Sequence, residues 1–249
     1  MIDFSGIRKS SVLGRLLRLP LAFVPRHAVV RILQGELRGW RWVAGASTHG
    51  CWLGSYEMPK QLSYVRAIDS GQIVYDIGAN VGFYTLLAAK CVSKSGKVFA
   101  FEPLPGNVSI LEKHIKLNRC QNISIHAVAI SERSGKMKFQ NARNRSMGHL
   151  AAEGELEVNV ISLDEFIYHA GHPVPNVMKI DVEGEELGVL RGALKLLSSS
   201  PPIIFLATHG LEIHAACCDL LKAHGYKLEK LGGGSVETTD ELICIPGPI

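Results

Sequence analysis

From residue 72 onward, short apolar runs alternate with stretches of helical periodicity, and that alternation leaves few folds open. Ile73–Ile77 is an apolar β run, Phe83–Cys91 a helix pattern, Lys97–Phe101 a strand, 107–117 a helix and Ile123–His126 a strand. Strands that are apolar along their length and separated by helices are the pattern of βαβ units, whose parallel sheet is covered on both faces. The alternation breaks at 135–162, where 136–140 and Leu156–Ile161 read as two strands around the polar loop 141–155, a hairpin-like insertion. It resumes with strand 177–181, helix 185–197, strand Ile203–Ala207 and helix 211–224. Two last strands, 226–231 and 241–245, flank a turn containing Gly232-Gly233-Gly234-Ser235. The expectation is an α/β fold.

Size and composition agree with a folded body. The chain has 249 residues, 47% of them hydrophobic and 20% charged, which excludes a disordered chain. No apolar run approaches the roughly 18 residues of a spanning helix. The net charge of +4 is unevenly placed: residues 1–71 hold 10 Lys plus Arg against 4 Asp plus Glu, and residues 72–249 hold 17 against 19. A basic front segment, 1–71, therefore precedes a mildly acidic body, 72–249. In its first part Val12, Leu13, Leu16 and Leu17 recur at helical spacing among Arg8, Lys9, Arg15 and Arg18, giving a short basic amphipathic helix limited by Pro20 and Pro25. Such a helix docks on a membrane or other anionic surface, or packs on the protein's own body. Residues 37–56 read as extended, with Trp40, Trp42 and Val43 alternating and Gly45 and Gly50 supplying turns. Cysteines at 51, 91, 120, 217, 218 and 244 form no CxxC pair, so neither a disulfide framework nor a zinc site is expected. With no basic-apolar-small leader pattern, the expectation is a protein of the reducing cytoplasm, its front segment able to lie on the inner face of the membrane.

The strongest chemical signal is Val74-Tyr75-Asp76-Ile77-Gly78-Ala79-Asn80-Val81-Gly82-Phe83-Tyr84-Thr85, which joins a buried strand to a helix. Glycine at 78 permits a tight turn and the close approach of a ligand. Asp76 stands near the carboxyl end of its strand, where open α/β sheets bind ligands. A dinucleotide fingerprint reads GxGxxG and seats a pyrophosphate on the helix N-terminus. Here the spacing is Gly-Ala-Asn-Val-Gly with a carboxylate two residues upstream, and the Gly-Lys-Ser/Thr ending of a phosphate-cradling loop is absent. A carboxylate at that position suits a cationic ligand, and S-adenosylmethionine carries both an ammonium and a sulfonium. Glu102, ending the next strand in Phe101-Glu102-Pro103, is placed to accept hydrogen bonds from ribose hydroxyls. It selects an adenosine ligand without naming which one.

These blocks resemble the FkbM-type S-adenosylmethionine-dependent methyltransferases. The resemblance rests on Asp76-Ile77-Gly78-Ala79-Asn80-Val81-Gly82 and Phe101-Glu102-Pro103, and continues through Leu163-Asp164-Glu165 and Met178-Lys179-Ile180-Asp181-Val182-Glu183-Gly184-Glu185-Glu186. Upstream, Leu53-Gly54-Ser55-Tyr56-Glu57 is similar to that family's Gly-x-Tyr-Glu element, so the resemblance covers about residues 50–245. It implies a class I methyltransferase, Rossmann-like, with a doubly wound, mostly parallel seven-stranded sheet. It also implies methyl transfer to oxygen, on a hydroxyl of a sugar, glycan or related natural product. By the resemblance, Asp76, Gly78 and Asn80 would line the methionine part of the cofactor, Glu102 the ribose, and residues 127–129, including Ala127 and Val128, the adenine. Glu57, Gly82, Phe83, Pro103 and Asp181 complete the expected cofactor site. The family often has Glu two residues before the His that ends the fifth strand, whereas this chain reads Leu206-Ala207-Thr208-His209.

An alcohol is a poor nucleophile at neutral pH, so a general base or a metal is expected. His209 is the first choice for base, because an unperturbed imidazole titrates near working pH. Asp181 would orient that histidine, contact the acceptor, or hold a divalent cation with Glu183. Residues 181–184 equally read as a helix N-cap with Glu185 and Glu186 in the first turn, and Lys179 as the partner of a neighbouring acid. His49, His149, His172 and His214 read as surface or packing residues. Three rivals remain: an NAD-linked oxidoreductase, against which the missing GxGxxG counts; an RNA methyltransferase, supported by the basic arm alone; and a non-catalytic membrane-docked protein, favoured by Ala207. No nucleic-acid recognition motif is present. Acceptor specificity is expected in the front arm, the 141–155 loop and the loops after the fourth and fifth strands.

Overall fold

Alternate residues of each central strand enter opposite apolar layers, so the main sheet is buried on both sides. The computed structural model describes residues 21, 23–140, 149–150, 156–231 and 233–247. The amphipathic helix expected at 12–17 and nearly all of the loop 141–155 lie outside the described residues.

The stretch 37–56, expected to be extended, is so only at 41–43 and turns helical at 49–53. The front segment holds β1 (Val29–Arg31) paired antiparallel with β2 (Arg41–Val43), then a short helix α1 (His49–Leu53) and a longer one, α2 (Met58–Ala67). The body follows as β3 (Ile73–Ile77), α3 (Phe83–Cys91), β4 (Lys97–Phe101), α4 (Pro105–Asn118) and β5 (Ile123–His126). The insertion is a second, four-stranded sheet of β6 (Ala129–Ile130), β7 (Gly135–Gln140), β8 (His149–Leu150) and β9 (Leu156–Ile161), in which β7 and β9 pair antiparallel as expected. A π-helical turn, Glu165–His169, leads back to β10 (Val177–Ile180), α5 (Glu186–Arg191), α6 (Leu194–Ser199), β11 (Ile203–Ala207), α7 (Leu211–Ala223), β12 (Tyr226–Lys230) and β13 (Glu241–Pro246).

The seven-stranded sheet runs β12-β13-β11-β10-β3-β4-β5. The pairs β11·β10, β10·β3, β3·β4 and β4·β5 are parallel, and β13 is antiparallel to both neighbours. From β3 the chain winds outward through β4 to β5, then returns to β10 and winds the other way. The reversal opens a crevice at the carboxyl ends of β3 and β10, the place where doubly wound sheets bind ligands.

The pleat sorts the layers. Tyr75, Ile77, Phe99, Phe101, Met178, Ile180, Ile204 and Leu206 join one core with Val189, Leu196, Cys217 and Leu221 from α5–α7. Val74, Val98, Val177 and Phe205 face the other, with Leu86 and Leu87 of α3. The front segment closes that second layer through Ile32, Leu37, Trp42, Trp52 and Tyr64. Hydrogen bonds from the Val43 N–H to His114 and between Arg41 and Asn118 tie it to α4.

The single helix expected over 185–197 is two. A Cβ on Gly192 would stand 2.2 Å from the Ser131 carbonyl oxygen, so the backbone there is pressed against the insertion. The Asp164 carboxylate accepts the Lys195 and Leu196 N–H groups at 2.8 and 2.9 Å, starting α6 afresh. All six cysteines are free thiols. Among the described residues, no helix is long and apolar enough to cross a membrane.

Candidate functional site

The loop between β3 and α3 forms the floor of the crevice, and its shape requires glycine at both ends. Gly78 has φ 77° and its missing Cβ would lie 1.9 Å from the Asp181 carbonyl oxygen. Gly82 has φ 93° and its missing Cβ would lie 2.2 Å from Leu111 Cδ1, so the Leu111 side chain of α4 packs directly on the loop backbone. Within the loop every N–H is already used. Gly78 and Ala79 donate to the Phe101 carbonyl (3.0 and 2.9 Å), and Asn80 donates to Glu102 Oε2 (2.8 Å). Val81 donates to Asn80 Oδ1 (2.7 Å) and Gly82 to the Ala79 carbonyl (2.9 Å). No loop N–H is left to cradle a phosphate.

A cavity of about 300 Å³ stands above this floor. On one side Phe101, Pro103, Leu104, Val128 and Ile130 make an apolar shelf with Glu102 at its edge. Glu102 is 4% exposed and also accepts from the Leu104 N–H (3.0 Å) and Asn107 Nδ2 (3.1 Å). Burial pushes its pKa up, against these hydrogen bonds, which favour the ionised form. The other side is acidic, with Asp181, Glu183 and Glu185. The front segment supplies a further wall from Ser47, Thr48, Cys51 and Tyr56.

Beneath the acidic side lies a buried ion cluster. Register places Lys179 directly beside Asp76. The Lys179 ammonium is 3.3 Å from Asp76 Oδ1 and 3.7 Å from Asp181 Oδ2, and donates to the Gly78 carbonyl at 3.1 Å. Burial alone would lower the Lys179 pKa, and the charges of Asp76, Asp181 and Glu57 raise it instead. Asp181 goes the other way: burial would raise its pKa, but Lys179, Lys60 and His209 hold it below the usual carboxylate range. Asp76 also accepts from Thr85 Oγ1 at 2.6 Å.

At the open end of the acidic side stands His209. Its Nδ1 is 2.8 Å from Oε1 of the buried Glu186, and its Nε2 is 3.4 Å from Glu183 Oε2 and 3.9 Å from Asp181 Oδ1. The hydrogen bond to Glu186 and the surrounding carboxylates, working against burial, lift its pKa to about 9. The near-neutral imidazole expected from the sequence is therefore corrected: three carboxylates around one ring favour its charged form.

The expected residues separate into two groups. Gly78, Asn80, Gly82, Phe83, Glu102, Pro103, Val128 and Asp181 line the cavity, while Asp76, Glu57 and Ala127 stand outside the lining. Asp76 is fully buried behind the wall, as a partner of Lys179 and Thr85. Glu57, at φ 44°, accepts from Tyr84 Oη (2.9 Å) and pairs with Lys60 (3.5 Å). His209 lies outside the lining and reaches it through Asp181 and Glu183. Ser47, Thr48, Cys51, Tyr56 and the buried Lys60 were not anticipated, although Tyr56 lies inside the quoted Leu53–Glu57 element. Beside Ala207, in register on β13, is Glu241, whose Oε1 holds Lys60 at 2.7 Å.

Strand order and site together define a class I methyltransferase fold, Rossmann-like, with its crevice at the β3/β10 switch point. The chain belongs to the FkbM methyltransferase family: the Methyltransferase FkbM domain matches residues 76–228. It is similar to the hexuronic acid methyltransferase AglP of Haloferax volcanii, with 32% identity over 149 residues, covering 59% of this chain and 58% of that relative. It is also similar to Methyltransferase 1 of Beauveria bassiana, with 25% identity over 153 residues, covering 51% of this chain and 61% of that relative. Each match thus spans less than two thirds of the relative. The crystal structure of the FkbM methyltransferase from Methylobacillus flagellatus shares the fold, with TM-score 0.50 and 17% identity, covering 74% of this chain and 50% of that one.

Proposed function

We propose that the protein is an S-adenosylmethionine-dependent O-methyltransferase whose acceptor is a hydroxyl of a sugar or glycan. The observation that carries this reading is the saturated loop: all five N–H groups from Gly78 to Gly82 are bonded internally, and the opposite wall is carboxylate. Such a crevice disfavours a pyrophosphate and suits a cationic donor. Family membership supports methyl transfer, and similarity to a hexuronic acid methyltransferase of Haloferax volcanii supports a sugar acid as acceptor class.

S-adenosylmethionine supplies a methyl carbon already activated by its sulfonium, so the chain's task is to bind, align and take up a proton. Glu102 accepts from the ribose hydroxyls with the lone pairs its three protein donors leave over. Phe101, Pro103, Val128 and Ile130 form the apolar slot for the purine. Gly78 and Asn80, with Asp181 held ionised by Lys179, border the cationic end. With the donor bound, transfer would break the S–CH₃ bond as the O–CH₃ bond forms. The proton of the acceptor hydroxyl would pass to the neutral form of His209, a fraction that grows as the pH rises toward its pKa of about 9. Aligning acceptor oxygen, carbon and sulfur contributes several kcal/mol by proximity, roughly 7 to 11 in the best intramolecular cases.

Calorimetry tests the cofactor half: S-adenosylhomocysteine is expected to bind, and Glu102→Ala to weaken it about 10- to 100-fold through lost charged hydrogen bonds. Tight NAD binding in its place overturns the reading. A labelled-methyl assay on separated glycan, RNA and small-molecule fractions tests the acceptor; label entering RNA alone refutes the sugar class. His209→Ala is expected to keep S-adenosylhomocysteine binding and lose turnover.

A further inference from the structure

We propose that Asp181, Glu183 and His209 form a binding site for a divalent cation, placed to hold the acceptor hydroxyl; its role in transfer, though not its binding, rests on the methyltransferase reading. Each residue offers one ligand atom, and the three atoms lie within 4.8 Å of one another. The separations have a meaning. His209 Nε2 is 3.4 Å from Glu183 Oε2 and 3.9 Å from Asp181 Oδ1. A hydrogen bond from a ring N–H closes to about 3.2 Å or less, so neither contact is a good one. Two ligands each about 2.1 Å from a shared ion stand about 3 to 4 Å apart, which is the spacing of both histidine–carboxylate contacts.

A residue outside the triad points the same way. Glu186 is wholly buried, its Oε1 is 2.8 Å from His209 Nδ1, and its Oε2 has no hydrogen-bond partner among the described residues. With Nδ1–H donating to Glu186, an ion bound between the carboxylates would displace the proton on Nε2 and take its lone pair. A carboxylate on the far ring nitrogen is how proteins orient a metal-binding histidine and raise its basicity. The half-partnered Glu186 carboxylate also demands positive charge nearby, which the charged His209 ring supplies until an ion replaces its proton. Neither neighbouring lysine pairs with Glu183 or Glu186: Lys179 lies between Asp76 and the Oδ2 side of Asp181, and Lys60 pairs with Glu57 and Glu241.

One imidazole and two carboxylates suit Mn²⁺, Mg²⁺ or Zn²⁺. The ion would keep open positions toward the cavity, which Asp181 and Glu183 both line. A hydroxyl oxygen bound there loses its proton to water more readily, and the oxygen then takes the methyl carbon as the S–C bond breaks. The ion's own charge does not change.

The test titrates Mn²⁺ into the chelator-treated protein and follows the free-ion signal by electron paramagnetic resonance. The wild type is expected to bind one Mn²⁺, with Glu183→Gln and His209→Gln each at least 10-fold weaker and folded by circular dichroism. Mg²⁺ or Zn²⁺ is expected to compete. Wild-type affinity no better than that of the variants overturns the site. S-adenosylhomocysteine calorimetry on the same sample separates the two readings. Cofactor binding without Mn²⁺ binding refutes the cation site alone, whereas Mn²⁺ binding without cofactor binding refutes the methyltransferase reading.

Discussion

The carbonyl oxygen of Asp181 fills the space that a side chain on Gly78 would occupy. A Cβ there would lie 1.9 Å from it, and Gly78 already holds a positive φ of 77°. The loop after β3 and the loop after β10 therefore touch backbone to backbone across the switch point. Neither atom belongs to a flexible side chain that could swing away. Gly78→Ala is expected to cost about 2 to 4 kcal/mol, from overpacking plus a left-handed residue that now has a Cβ. Urea unfolding measures that cost. Calorimetry is expected to show S-adenosylhomocysteine affinity falling with it, since relief of the clash spreads the two walls. A variant of unchanged stability and affinity would mean that the backbones are not in contact.

Lys179 and Asp76 form the second link between the same strands. Removing the lysine alone, as in Lys179→Met, leaves Asp76 with a fully buried charge and, among the described residues, only Thr85 donating to it. Breaking a buried pair from one side costs about 3 to 5 kcal/mol. Adding Asp76→Asn is expected to recover part of that loss, because the amide needs no counter-charge. A double-mutant cycle reads the coupling directly. Costs that simply add would show that the two groups do not depend on each other.

Most of the scaffold was legible because β11 is apolar along its length and β3 and β4 nearly so, and a strand covered on both faces announces itself. The edge strand β5 reads instead as an alternation of Ile with Ser and His. The glycine loop and Glu102 were legible for a related reason: turn geometry and a strand-end carboxylate are written locally. Helix α2 was not, since its buried positions include Lys60 and Gln61, and buried polar residues break the hydrophobic period. The division of 185–197 was hidden because the stop comes from Ser131 and Asp164, distant in sequence. Asp76 read as a carboxylate at the mouth of the site. Its partner is set by register with Lys179, which no spacing encodes, and that pairing turns it inward. The Tyr56 wall and the shift of His209 depend likewise on elements that meet only in the folded chain.

His114 gives the fold a defined acid sensitivity. The ring is fully buried, with Nδ1 2.8 Å from the Val81 carbonyl and Nε2 3.0 Å from the Val43 nitrogen. The neutral tautomer that donates at Nδ1 and accepts at Nε2 satisfies both. Protonation would set an N–H against the Val43 N–H. Burial accordingly lowers its pKa from 6.5 to about 4. A histidine depressed in the folded state binds its proton more readily when unfolded, so stability falls as pH drops through 6.5 toward the folded value. Between pH 7 and pH 5 the loss is on the order of 2 kcal/mol. Urea midpoints for the wild type and His114→Gln check this: the variant is expected to be less stable at pH 7 and to lose less on acidification. Equal pH slopes would exclude His114 as the source.

Trp42 decides whether the basic front segment is an appendage or a structural part of the body. Its ring is fully buried, stacks on His114 with centroids 3.9 Å apart and planes 16° apart, and meets Phe83 edge-on at 6.0 Å. His114 belongs to α4 and Phe83 begins the helix that follows the glycine loop, so the indole packs against both helices that shape the crevice. Trp42→Ala is expected to cost about 3 to 5 kcal/mol, as for other large-to-small changes in a core. Because the cavity wall of Ser47, Thr48, Cys51 and Tyr56 hangs from the same segment, S-adenosylhomocysteine binding is expected to weaken as well. The informative measurement is cooperativity. If residues 29–67 are part of one core, far-UV circular dichroism and site-resolved amide exchange will report a single coincident unfolding transition, shifted as a whole by the substitution. Loss of protection confined to 29–67, with the seven-stranded sheet keeping wild-type stability, would make the front segment a separately folding unit.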